Sequence, residues 1–95
     1  MNKMELLERV KVGLGNVPPH LDETISIYMM DILLDMIDSG VPITLIDLDN
    51  DSIDEKCVGA VVRGVSDTWN YGNGDTELSD YYYKRVDKLR GNKNG

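Results

Sequence analysis

The segment Ile25 to Ile37 (ISIYMMDILLDMI) constrains this chain more than any other. It is apolar on nearly every side, and its polar residues Asp31 and Asp35, continued by Asp38, fall at i, i+4 and i+7 on one thin stripe. A helix of that kind demands cover over most of its circumference. Ninety-five residues form one domain, here 1–90, and such a domain buries only about 60–65% of its unfolded surface. Disulfides, a structural metal or oligomerisation are the usual reinforcements for so small a core. Cys57 is the single cysteine and His20 the single histidine, so an internal disulfide is excluded and a zinc site lacks ligands. Oligomerisation is the route left open, with other copies supplying part of the cover for the Ile25–Ile37 helix.

The pattern around that helix predicts an all-α chain, a small bundle of about four helices with no sheet. A first helix runs from about Lys3 to Leu14, with Asn2 as N-cap, Glu5 three residues on, and Met4, Leu7, Val10 and Leu14 as its apolar stripe. Gly15, Asn16 and Pro18-Pro19 end it. The second runs from a cap at Asp22 to Ser39, stopped by Gly40 and Pro42, and is read as the central element. Ser52-Ile53-Asp54-Glu55 has the form of a capping box opening a third helix, Ile53 to about Asn70, whose face carries Ile53, Cys57, Val61, Val65 and Trp69. Gly59 and Gly64 sit five apart in it and do not share a face. A fourth helix begins at Ser79 and buries Tyr82, Val86 and Leu89. The 41–52 connection (VPITLIDLDNDS) is read as mostly irregular, or as a strand pairing across a subunit boundary. The tail 91–95 is read as flexible.

Composition narrows the function classes. A net charge of −7 opposes a protein that grips nucleic acid through phosphate neutralisation. Lys84, Arg85, Lys88, Arg90 and Lys93 nevertheless gather at the C-terminal end, where they suit the helix dipole or an acidic partner surface. No signal peptide is read in the Leu6-Leu7 region, which Glu5, Glu8 and Arg9 interrupt. The Ile25–Ile37 run is too short to span a bilayer, and each aspartate in it would cost roughly 2.5–3.5 kcal/mol at the membrane centre.

Candidate chemistry fails position by position. Asp47, Asp49 and Asp51 resemble the start of a calcium loop, but Ser52 stands at the required glycine and Val58 at the bidentate glutamate. His20 has Asp22 nearby but no nucleophile to activate. Cys57 lies on an apolar stripe and reads as an inert buried thiol. Gly72-Asn73-Gly74 lacks the lysine and hydroxyl residue of a phosphate loop. No catalytic, cofactor or metal residue is therefore assigned. The aromatics Trp69, Tyr71, Tyr81 and Tyr83 are the interface candidates. Tyr81, Tyr82 and Tyr83 step by about 100° each around a helix, so they cannot all face one core. Tyrosine left outside a core is enriched at interfaces.

The order of elements resembles the small head-tail connector (adaptor) proteins of long-tailed bacteriophages. The residues that carry the resemblance are Leu6-Leu7-Glu8-Arg9-Val10-Lys11, the acidic start Asp22-Glu23 of the apolar helix, the helix Ile53 to Asn70 with Trp69-Asn70-Tyr71-Gly72 at its end, and Val86 to Arg90. The loop before the last helix is short for that pattern, and the 41–52 connection is unusually acidic. The resemblance implies a non-enzymatic virion protein, made in the host cytoplasm and lodged beneath the portal. It implies a homo-oligomeric ring of about twelve copies, bound to portal on one side and to a head-closure or tail protein on the other. DNA would pass through without sequence-specific binding, past an acidic lining that repels phosphate. A small soluble helical interaction or regulatory module is the alternative.

Overall fold

Residues 1–71 and 78–91 are described by a computed structural model, apart from the side chains of Asn70 and Tyr71. The Gly72-Asn73-Gly74 break and the tail beyond Gly91 lie outside the described residues. Four helices account for most of the chain: α1 (Lys3–Gly13), α2 (Asp22–Asp38), α3 (Val58–Tyr71) and α4 (Asp80–Leu89). Single 3-10 turns, Pro19–Leu21 and Glu55–Cys57, lead into α2 and α3. The all-α reading holds.

Three local signals work as the sequence indicates. The Asn2 carboxamide accepts from the Glu5 N–H at 2.8 Å while Glu5 accepts from the Asn2 N–H at 2.9 Å, a complete capping box. Ser79 accepts from the Tyr82 N–H at 3.2 Å and caps α4. At the end of α2 Gly40 turns left-handed at φ 106°, and Val41 N–H reaches back to Met36 O at 3.0 Å, a Schellman closure that only a residue free of Cβ adopts without strain.

Other expectations are corrected. First, the expectation of no sheet fails: the mostly irregular 41–52 connection carries a small two-stranded antiparallel hairpin, β1 (Ile46–Asp47) and β2 (Ser52–Ile53), with Ile46 opposite Ile53. Both isoleucines are buried. The Ile53 N–H also donates to Met1 O at 2.7 Å, and the Lys3 N–H donates to the Asp51 carboxylate at 2.8 Å, so the hairpin is tied to the start of α1. Second, Ser52 is a strand residue rather than a cap. Asp54 replaces it, accepting from the Lys56 N–H at 2.8 Å, and helix geometry begins with the turn at Glu55. Asp22 is likewise the first residue of α2, not its cap; the preceding 3-10 turn supplies the entry, and the Asp22 carboxylate pairs with Lys11 at 2.8 Å. Third, α1 buries Leu6 and Val10, while Met4 is 78% exposed. The Leu6–Val10–Gly13 edge faces the core, with Gly13 close against Val62 of α3.

The hub of the bundle is α3, not α2: α3 packs against α1, α2 and α4 alike. Gly64 lets α2 and α3 approach closely, since a Cβ there would stand 2.8 Å from Ile32 Cδ1 and 2.9 Å from Ile32 Cγ2. One core joins Leu6 and Val10 of α1, Ile25, Leu33 and Met36 of α2, Val61 and Val65 of α3, and Tyr82 and Val86 of α4. Each large aliphatic or aromatic side chain so buried contributes about 1.5–3 kcal/mol. α2 buries Ile25, Met29, Ile32, Leu33 and Met36 on that core, yet leaves Ile27 (57% exposed) and Leu34 (47%) outside it.

Candidate functional site

The start of α4 is fixed to α3 by a clamp that the sequence reading missed. Asp67, buried on α3, accepts from the Ser79 N–H at 3.0 Å and pairs with Arg63 at 3.2 Å. Arg63 Nε in turn donates to Ser79 Oγ at 3.2 Å. The only sequence sign of this was an Arg63/Asp67 pair at i, i+4. With α4 held there, its three tyrosines take three different directions.

Tyr82 points inward, and its hydroxyl donates to the Asp35 carboxylate at 2.7 Å. Burial first, then that bond to an anion, pushes its phenol well above the ordinary range. The pairing also accounts for the middle member of the aspartate stripe on α2. Tyr81 is 51% exposed and has two guanidinium groups near its ring: Arg85 at 4.8 Å and Arg63 at 5.2 Å from the centroid. Arg85 donates to its hydroxyl at 2.8 Å. That hydrogen bond and the charge of Arg85, with lesser help from Arg63 and Lys88, draw the Tyr81 phenol below its usual value. Tyr83 is 46% exposed and makes an edge-to-face contact with Tyr82, at 5.2 Å between centroids. Trp69 is half-buried and packs edge-on against Tyr28 of α2 at 6.1 Å. The side chain of Tyr71 lies outside the described residues. The interface candidates therefore do not form one patch: Tyr81 belongs to the α3–α4 flank, Tyr83 to the far side of α4, and Trp69 to the α2–α3 seam.

Beside Tyr81 a cleft of about 590 Å³ opens between the start of α3 and α4. Ala60 and Leu89 give it an apolar floor, and Lys56, Lys84, Arg85 and Lys88 ring it. Its one acidic member, Asp87, is already paired with Arg90. Among the described residues none of the four ringing cations is paired with a carboxylate. In a chain of net charge −7 this is a concentrated positive site.

The residues weighed for chemistry are placed otherwise. His20 is exposed on the turn before α2. Cys57 is fully buried, and burial, with the charge of Asp54, pushes its thiol up to about 11. Asp47 is occupied by Asn50, whose side-chain amide donates to it at 2.7 Å, and Asp51 by the Lys3 N–H. Among the described residues no group of three or more His, Cys, Asp or Glu is placed to hold a metal ion, and no helix is long and apolar enough to cross a membrane. Comparison with protein-family models, curated proteins and solved structures gave no match for this chain.

Proposed function

We propose that this protein is a non-enzymatic head-tail connector of a long-tailed bacteriophage, a ring-former beneath the portal that extends the DNA channel toward closure or tail proteins. The reading rests on the resemblance of the element order and of the residues quoted above. The observation that supports it best is the amount of large side chain left uncovered on so small a bundle. Ile27, Leu34, Tyr81 and Tyr83 are all about half exposed, on surfaces that a working assembly would cover. Tyr83 is the aromatic anchor for the portal side and Tyr81, on the α3–α4 flank, anchors a separate contact of the same assembly, since a few such residues carry most of a contact.

The test is retention of the purified protein on heads that carry portal, with portal-free capsids as control. Retention on the former only is the expected result. Tyr81→Ala or Tyr83→Ala should lower it about tenfold or more while the free variants keep their helical signal and melting behaviour. Loss of retention by the wild type itself would remove the connector reading. The alternative, a small helical interaction module serving one partner, would then stand.

A further inference from the structure

Among the described residues two surfaces are left without cover; they share no residue and have opposite character. The first is the outer face of α2. Ile27, Met30, Leu34 and Ile37 follow one another at spacings of three, four and three, the seam spacing by which one helix meets another. Ile27 and Leu34 are exposed, and Met30 and Ile37 are half-buried. Asp31 and Asp38, both exposed, run along the edge of this stripe, and among the described residues neither is in an ion pair. The second surface is the α3–α4 cleft, with its apolar floor and its rim of Lys56, Lys84, Arg85 and Lys88.

We infer that the outer face of α2 of one copy docks into the α3–α4 cleft of the next, head to tail. Apolar residues then meet the Ala60–Leu89 floor, while Asp31 and Asp38 meet the lysines of the rim. The dimensions agree: Ile27 to Ile37 and the ten residues of α4 each span about 15 Å. The charges also select against the symmetric alternatives. Two α2 faces brought together would set Asp31 and Asp38 against their own copies, and two clefts together would oppose four cations to four. Only the unlike pairing is favourable on both counts. A contact between two different surfaces leaves one of each free after every addition, so it builds a closed ring or an open filament rather than a dimer. The inference rests on the ring-forming reading above and supplies that ring with its contact.

Zero-length carbodiimide coupling of the full chain at about 1 mM, where even a millimolar contact is substantially populated, reads the geometry directly. Amide bonds from Asp31 or Asp38 of one copy to Lys56, Lys84 or Lys88 of another are expected, and they should fade as salt screens the rim. Sedimentation then reads the polarity. The paired variants Lys84→Glu/Lys88→Glu and Asp31→Lys/Asp38→Lys should each self-associate about tenfold or more weakly than wild type. Mixed in equal amounts they should recover assembly with the two variants alternating, because the α2 face of each then faces a cleft of opposite charge on the other. Combining all four changes in one chain should restore self-association. A wild type that stays monomeric and uncoupled at this concentration would overturn the inference. So would one that stops at a dimer, or variants that assemble as wild type does. A cleft filled instead by an added acidic peptide or by duplex DNA, with no self-association, would overturn it equally. Retention on portal-bearing heads without these cross-links would sink the contact and leave the connector reading. Cross-links without retention would do the reverse.

Discussion

Leu33 and Leu34 are adjacent in one helix and chemically identical, yet Leu33 is fully buried and Leu34 is 47% exposed. The inner face of α2 that Leu33 belongs to is closed by α3 down to the contact of Ile32 with Gly64. The outer face of Leu34 has the same kind of side chains, and among the described residues Ile27 and Leu34 stay about half exposed there. Apolar content alone therefore says little about what a helix residue is for. The inner stripe serves stability of one copy, and the outer stripe has the composition of an interior without being in one. Five changes probe this contrast.

The largest effect should come from the inner face. Met36→Ala should cost about 2–5 kcal/mol by removing buried volume that the bundle cannot refill. Denaturant unfolding would read this as a lower midpoint at unchanged slope; a loss under 1 kcal/mol would mean that the inner face is loosely packed.

Tyr82→Phe comes next, at about 1–3 kcal/mol, because it leaves the Asp35 carboxylate without its donor. It should also flatten the alkaline limb of stability. Burial raises both the Cys57 thiol, to about 11 from 9.0, and the Tyr82 phenol. The unfolded chain gives up these protons first, so stability is full below about pH 9 and falls as pH climbs toward 11. Melting across that range should show a decline that Tyr82→Phe and Cys57→Ala each make shallower. A Cys57→Ala variant with an unshifted alkaline limb would contradict the buried thiol's part in it.

Gly64→Ala should cost about 1–2 kcal/mol, the strain of pushing Ile32 aside outweighing the roughly 1 kcal/mol that alanine adds to a helix. A stabilised variant would show that α2 and α3 separate more easily than their contact suggests. Smallest of all, Arg9→Ala removes an exposed ion pair with Glu55 and should change stability by under about 1 kcal/mol.

Much of the fold was legible, and the reasons differ by element. The ends of α1, α2 and α4 could be read because their signals are local: Asn2 with Glu5, Gly40 before Pro42, and Ser79 at a fixed distance from the backbone donor it serves. The hairpin could not, since strands of two residues have no period to detect and their pairing depends on Met1 and Lys3, some fifty residues away. Ser52 misled because Asp54 offers the same capping chemistry two residues later. The rank of α2 over α3 misled because apolar residues were counted without knowing which were covered. At the candidate site, the geometry of consecutive tyrosines was enough to place one of them outside the core. The approach of both Arg63 and Arg85 to the Tyr81 ring was hidden, because Arg63 lies on another helix and only the fold brings it there.

The contrast between the two faces is tested most directly by unfolding Leu33→Ala and Leu34→Ala side by side and measuring their self-association. Leu33→Ala should lose about 2–5 kcal/mol and melt lower by at least about 10 °C. Leu34→Ala should melt within about 3 °C of wild type, as an exposed position does, while its self-association at millimolar concentration falls severalfold or more. Equal losses of stability from the two variants, with self-association untouched by Leu34→Ala, would show that both leucines serve the same core.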